Sequence, residues 1–382
     1  IELPVIVGME NLVLPSPSDL DAVASYIIGL HWTNRDQCLV LRTWLGSSYE
    51  WHTTHWRKVP PMHLFAVILR ILSAAKYWKT VKGSSYLVDW SPNPTRINNL
   101  IALIEAKTLI HAERGSGYWI DCTSGRCPEG DHGRQYISFQ NGILDMSSLE
   151  MIPHDSAFFN TYSLGFDYDP EATAPTWERS LKQWFPDDEE SQRTVEETIA
   201  YLVLGGLELD KIFVWLGEPR AGKGTIMRVV QRMLGQGYAT MSMDDLTDRF
   251  AVEDLIPLLV CHIAEATSTR ETRKVVSLIK SISGRDFTGT SVKMKGEKSA
   301  QDVTLEVKFV LTGNEELELP DSSGVIIERM VVLSFQQSFL GREDPGLEAK
   351  LEEEASGIFN WILSAHRSLL TRGKFLQPAS GE

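Results

Sequence analysis

Cysteine is scarce. Four residues (Cys38, Cys122, Cys127, Cys261) in a chain of 382 are too few for a disulfide framework, so a reducing, cytoplasmic setting is expected. Positive charge is also short. The 37 Lys and Arg residues stand against 51 Asp and Glu, a net charge of −14, which excludes a uniformly basic nucleic-acid coat; any polyanion must be gripped by a local basic feature. Long apolar runs are missing as well. Met62 to Ala75 is cut by Arg70, and Ile256 to Ala264 is far too short for a bilayer, so no membrane segment is expected. No N-terminal stretch has the basic, apolar and small-residue order of a signal peptide. The chain starts at Ile1 rather than Met, as a piece of a longer polypeptide or a processed product would. Internal repeats and low-complexity segments are absent.

What is present is an ordinary globular composition, 43% hydrophobic and 23% charged, at a length that favours two or three compact units. Residues 1–166 hold seven of the eleven tryptophans and read as an α-rich N-terminal collar or oligomerisation domain. Its helices start near Ser18, after Pro60-Pro61, and at Asn93. Its tryptophans are assigned to core or interdomain packing rather than to stacking on bases. Residues 167–206 read as a linker and helical segment, 207–336 as an α/β core of mostly parallel strands, and 337–382 as a C-terminal helical segment. The core strands are expected at Lys211–Leu216, Ile256–Ile263, Thr304–Leu311 and Val331–Phe335.

Gly217-Glu-Pro-Arg-Ala-Gly-Lys-Gly-Thr225 fits the phosphate-loop pattern G-x-x-x-x-G-K-[ST], with Gly224 inserted before the threonine. A strand-like run precedes it and a helical pattern follows, so backbone N–H groups and a helix N-terminus would surround phosphates. Gly217, Gly222 and Gly224 are assigned to the nucleotide-binding loop. Lys223 would reach the β and γ phosphates of ATP, and the Thr225 hydroxyl would ligate Mg²⁺. The same loop pattern occurs in adenylate-kinase-like phosphotransferases, so a nucleotide kinase stays a rival, although those kinases begin at the loop.

Hydrolysis needs a carboxylate near the metal and the attacking water, expected on a strand beside the phosphate-loop strand. Glu265, at the end of the Ile256–Ala264 run, is the candidate general base and second metal ligand. Asn314, after Val307–Thr312 and Gly313, could hydrogen-bond the γ-phosphate and the water. Arg329, just before the last strand, could act as a finger on a neighbouring subunit's nucleotide.

In that order, the phosphate loop, the strand-end Glu265, Lys280-Ser-Ile-Ser-Gly-Arg-Asp286, Thr312-Gly-Asn314 and Arg329 resemble the superfamily 3 helicase core of phage, plasmid and poxvirus primase-helicases. Phe139-Gln-Asn-Gly-Ile-Leu-Asp145, Pro153-His-Asp155, Asp167-Tyr-Asp-Pro170 and Pro175-Thr-Trp177 resemble the domain preceding that motor. Asp344-Pro345 and Gly357-Ile-Phe-Asn-Trp361 resemble its C-terminal helical segment. The resemblance implies an AAA+-like P-loop NTPase core that assembles as a homo-hexameric ring and threads single-stranded or forked DNA. An upstream primase or primase-polymerase often accompanies it. It also implies a DNA-contacting β-hairpin at Thr290–Ser299, where Lys293, Lys295 and Lys298 would meet the phosphate backbone. Two departures stand out: Arg220-Ala221 replace a Gly/Asn-rich stretch, and Glu328-Arg329 replaces an Arg-Arg pair.

Zinc at Cys122, Cys127 and His132 is disfavoured because the spacing fits no standard finger. His52-Thr-Thr-His55 lacks a metalloprotease glutamate. The sequence therefore predicts an ATP-dependent DNA helicase of mobile-element replication. A kinase-like phosphotransferase and an ATP-gated DNA-bound assembly platform are the alternatives.

Overall fold

The computed structural model describes residues 12–110, 116–120, 136–205, 209–248, 251–266, 272–284, 290–292, 301–303, 305–314 and 325–381. These form two compact units. Residues 12–110, 119–120 and 155–159 make the smaller one, and the other described residues make the larger.

In the smaller unit, Asp19 rather than Ser18 caps the first helix, α1 (Leu20–His31), its carboxylate accepting from the Ala22 N–H at 3.0 Å. Val23, Ala24, Ile27 and Ile28 bury one face of it at helical spacing. An antiparallel sheet follows, β1 (Leu41–Trp44), β2 (Ser47–Trp51) and β3 (Trp56–Lys58). Next come α2 (Pro61–Ala74) and the hairpin of β4 (Lys76–Val81) with β5 (Ser84–Asp89). Asn93 caps α3 (Pro94–Thr108) through the Arg96 N–H at 2.9 Å. The expectation of a largely helical N-terminal domain is thus corrected: three helices share it with two antiparallel sheets. The hairpins escaped notice because their turns, Leu45-Gly46 and Lys82-Gly83, lack the usual Asn or Asp. All four residues nevertheless take positive φ, 48° and 69°, then 49° and 85°, as primed hairpin turns demand. Short strands β6 (Tyr118–Trp119) and β10 (Phe158–Phe159) complete the elements that contribute here. Trp32, Trp44, Trp56, Trp90 and Trp119 are buried as expected, and Trp44, Tyr49 and Trp56 meet the Phe159 ring at centroid distances of 5.5, 5.8 and 5.8 Å.

The larger unit opens with a small antiparallel sheet of β7 (Tyr136–Ser138), β8 (Ile143–Asp145) and β9 (Met151–Ile152). Residues 167–175 read from sequence as a linker, but Pro175 already opens a helix and the segment before it runs along the C-terminal helix: Asn360 donates to the carbonyls of Asp169 at 2.8 Å and Ala172 at 3.0 Å. Helices α4 (Pro175–Trp184) and α5 (Glu189–Leu204) lead to β11 (Ile212–Gly217), α6 (Lys223–Leu234) and β12 (Tyr238–Met241). The chain continues through α7 (Ala251–Leu255), β13 (Val260–Ile263), α8 (Thr272–Ser283), β14 (Thr290–Val292), β15 (Gln301–Val303) and β16 (Lys308–Thr312). It closes with α9 (Val325–Arg329), β17 (Met330–Phe335), α10 (Leu347–Glu353) and α11 (Ala355–Arg372).

Five strands form one parallel sheet in the order β12-β13-β16-β11-β17. From β11 the chain crosses to the far edge and returns strand by strand to β16, then passes to β17 on the other side of β11. That reversal of direction opens a crevice at the carboxyl ends of the strands. Both faces of the sheet are buried, Phe213 and Trp215 against one core cluster and Val214 and Leu311 against another.

Helix α11 packs on α5, and the Arg372 guanidinium bonds the Glu197 carboxylate, which is 2% exposed. Removing the cation alone strands a buried charge. Arg372→Met should therefore cost about 3–5 kcal/mol in urea unfolding, and the double variant Glu197→Leu/Arg372→Met should recover most of the loss.

Candidate active site

Above the carboxyl ends of the parallel strands lies a cavity of about 690 Å³, lined by residues 219–225, Glu265, Thr312–Asn314 and residues from 339 to 348. Its size suits a small-molecule ligand. The floor is the loop between β11 and α6. Gly217 (φ 133°) pairs with Phe335 of β17, and a Cβ on it would lie 2.1 Å from the Phe335 carbonyl oxygen. Gly222 (φ 102°) starts α6 in the left-handed region, with the Trp184 indole where its Cβ would be. Both positions require glycine. Gly224 does not, since only the flexible end of Arg228 approaches its side-chain position.

Lys223, 8% exposed, turns its ammonium onto the loop, donating to the carbonyls of Gly217 at 2.6 Å and Glu218 at 2.9 Å. Burial lowers its pKa and the nearby Glu218 carboxylate opposes that shift. The Thr225 hydroxyl accepts from Arg228 at 3.3 Å, and Arg228 also pairs with Glu348 at 2.5 Å.

The structure brings Glu265 and Asn314 to the same cavity as the loop. The carboxylate strand, expected beside the loop strand, stands one place further off: β16 separates β11 from β13. As a result the turn bearing Asn314 emerges between loop and carboxylate. The Gly313 N–H donates to the Trp215 carbonyl at 3.0 Å and the Ala266 N–H to the Thr312 carbonyl at 2.9 Å. Glu265 itself holds φ 51°, a left-handed conformation that costs a non-glycine residue of order 1 kcal/mol or more.

Arg329 is not among the cavity's lining residues. Its guanidinium donates to the Lys280 carbonyl at 2.8 Å and to Ser283 at 3.4 Å, beside Gly284, where any Cβ would collide with it. Lys293, Lys295 and Lys298 lie outside the described residues, as do Cys122, Cys127 and His132; β14 and β15 pair antiparallel on either side of the lysine segment. No group of three or more His, Cys, Asp or Glu side chains is poised for a metal among the described residues. Among those residues no helix is long and apolar enough to cross a membrane.

Several cavity residues were missed in the sequence. Trp184 backs the loop, Phe339 and Arg342 stand at the rim, and His262 sits within β13. The imidazole lies between the Tyr238 hydroxyl, 2.7 Å from Nδ1, and Thr312 Oγ1, 2.9 Å from Nε2. Burial pushes its pKa down to about 4, so it is neutral, donating through one nitrogen and accepting through the other. The available signal was its place as a basic side chain inside the run Ile256–Ala264.

Two known families match parts of the chain. The family described as "D5 N terminal like" matches residues 28–186 and the "Family of unknown function (DUF5906)" matches 215–329. The first match includes the segment whose motifs resemble the domain before the motor of primase-helicases. No curated protein matches. Among solved structures, an apo form of the NrS-1 C-terminal region is 11% identical, with a TM-score of 0.50, over 88% of this chain and 72% of that one. Another apo form of the same region gives 10% identity and a TM-score of 0.48 over 89% and 69%. The first likeness concerns fold.

The buried imidazole carries a pH signature. Its folded pKa of about 4 lies below the ordinary 6.5, so the unfolded chain binds the proton more readily and stability falls as pH drops from 6.5 towards 4. Between pH 7 and pH 5 this group should remove about 2 kcal/mol of unfolding free energy. A urea series at the two pH values should show that increment in the wild type and its absence in His262→Gln.

Proposed function

We propose that this chain is an ATP-driven DNA-translocating motor of the primase-helicase type, with an AAA+-like P-loop core that works as a ring. The observation that carries the reading is the convergence of the Lys223 amine, the Thr225 hydroxyl, the Glu265 carboxylate and the Asn314 amide on one cavity. The glycine contacts at Gly217 and Gly222 hold the loop open for a polyanion, and the N-terminus of α6 faces it.

The residues fit a triphosphate with Mg²⁺. The Lys223 ammonium spends its bonds on two loop carbonyls and can exchange them for phosphate oxygens. Thr225 and Glu265 offer oxygen ligands, which suit a hard cation. Bound there, Mg²⁺ would neutralise phosphate charge. Glu265 accepts a proton from the attacking water as its oxygen bonds to the γ-phosphorus and the bond to the β-phosphate oxygen breaks. Asn314 holds the γ-phosphate and the water in line. Arg329, set outside its own chain's cavity, is assigned to the nucleotide of a neighbouring protomer in a hexamer, which makes turnover depend on assembly. The segment with Lys293, Lys295 and Lys298 is assigned to single-stranded DNA in the channel.

Lys223→Ala should abolish ATP turnover, and Glu265→Gln should lower kcat by about 10²- to 10⁴-fold while ATP still binds. Full turnover in the glutamine variant would remove the base assignment. Arg329→Ala should lose turnover by about 10³-fold, keep nucleotide binding, and regain part of its rate when mixed with the Glu265→Gln chain. Stimulation by single-stranded DNA and displacement of a strand from a forked duplex test the motor itself. A kinase would instead convert a nucleoside monophosphate without DNA, and an assembly platform would close into a ring without displacing a strand.

A further inference from the structure

Of the seven tryptophans in the first 166 residues, Trp78 departs from the packing role. It is 57% exposed, and on the same β4–β5 hairpin Tyr86 is 47% and Leu87 44% exposed. The hairpin is nonetheless firmly rooted. Lys76 bonds the backbone of Leu12 and Leu14, both at 2.8 Å, and the Tyr77 ring packs edge-on against buried Trp90 at 6.3 Å. Burial therefore holds the base of the ribbon and leaves its outer part in solvent.

The register sorts the side chains. Residues directly opposite share a face, so Trp78 with Leu87 lies on one side, and Lys79 with Tyr86 on the other. The Trp78 face is bounded by the Thr80–Ser85 hydroxyl pair at 2.8 Å and by the Lys76–Asp89 ion pair at 3.7 Å. Its apolar part is thus two side chains wide, and the opposite face exposes Tyr86 and Val81. That is far below the ~800 Å² per partner of a standard protein interface, but it is the size of a nucleobase. Lys79 and Lys82 have no acidic partner among the described residues. Residues 76–89 hold three lysines and one aspartate in a chain whose net charge is −14. Lysines alone could serve to keep an edge strand from pairing; that purpose gives no reason to expose Trp78 and Tyr86 beside them.

We propose that the β4–β5 hairpin is a contact for unpaired nucleic acid, in which Trp78 on one face and Tyr86 on the other each stack on a base, while Lys79, opposite Tyr86, and Lys82, at the turn, meet phosphates. It rests on the reading of the chain as a DNA motor and adds a second contact besides the Lys293–Lys298 segment. Stacking tolerates any base, so the contact carries little sequence preference.

The test uses the full chain and a fluorescein-labelled oligo-dT of about 30 nucleotides, several times the site of one small binding module, followed by anisotropy across a salt series. Trp78→Ala should weaken binding by about 5- to 100-fold, and Trp78→Phe should restore most of it. Lys79→Gln/Lys82→Gln should lower the slope of log affinity against log salt by about 1.4, at roughly 0.7 per phosphate contact. DNA-independent ATP turnover and the assembled mass by light scattering should stay as in the wild type. Unchanged affinity and slope in the variants, with the wild type binding, would overturn the hairpin proposal alone. A wild type that fails to bind the oligonucleotide would sink this proposal and the motor reading together. Loss of binding only in step with loss of assembled mass would make the hairpin a contact between copies of the chain, and would also overturn the proposal.

Discussion

Everything in the cavity depends on how closely β11 and β17 approach at their carboxyl ends. Gly217 pairs with Phe335 in a space where a Cβ would sit 2.1 Å from a carbonyl oxygen. The Glu218 N–H then donates to that same Phe335 carbonyl at 3.0 Å. The chain must consequently turn sharply upward at residue 218 instead of extending the strand. From that turn follow the loop, the left-handed Gly222 and the direction of α6. The segment after β17 is tied down in return, as the Phe339 N–H donates to the Arg220 carbonyl at 3.1 Å and Ser338 to the Pro219 carbonyl at 2.9 Å. One close backbone approach thus sets both the floor and a wall of the cavity.

The opposite wall is set by a polar string through the sheet. Tyr238 on β12, His262 on β13 and Thr312 on β16 bond in sequence, which ties three adjacent strands together in the plane above which Glu265 and Asn314 emerge. In a buried setting a polar side chain left without partners costs about 1–3 kcal/mol, so the string has a preferred closed arrangement. A neutral imidazole suits this place, since it can accept at one nitrogen and donate at the other. An imidazolium would offer two donors and would lose the solvation that burial denies it.

Much of this was legible in the sequence, for identifiable reasons. The loop announced itself because glycines at positive φ, a lysine and a hydroxyl must stand at fixed offsets, and Gly217, Gly222, Lys223 and Thr225 do. Helices α1, α2 and α3 followed from caps or prolines ahead of apolar residues at helical spacing. The β1–β2 and β4–β5 hairpins did not, because Leu45 and Lys82 adopt a left-handed conformation that their side chains do not advertise. Strand β13 was expected to begin at Ile256, but Pro257 lacks an N–H for the ladder and pairing begins at Val260. The insertion of β16 beside the loop strand is a matter of long-range pairing, for which no local pattern exists. For the same reason no local pattern marks Trp184, beyond its helix face, as the support of Gly222.

Composition argued against a basic coat, and the structure bears on what that means for a polyanion. At the cavity, Arg228 is matched by Glu348 and Arg220 by Glu343, while Arg342 donates to the Ser338 carbonyl at 2.9 Å. These pairs are half-exposed, so each contributes little to stability. Their effect is to reduce the positive charge of the rim. For a phosphate chain of the kind proposed, attraction would then be strongest in the loop interior, where the backbone N–H groups at the start of α6 and the shielded Lys223 ammonium act at short range in a medium less polar than water. An acidic exterior would repel a polyanion that approaches at random, and a small shielded cradle would favour a phosphate chain that enters it. The −14 charge of the chain and the binding of an anion are therefore compatible, because the two act at different distances.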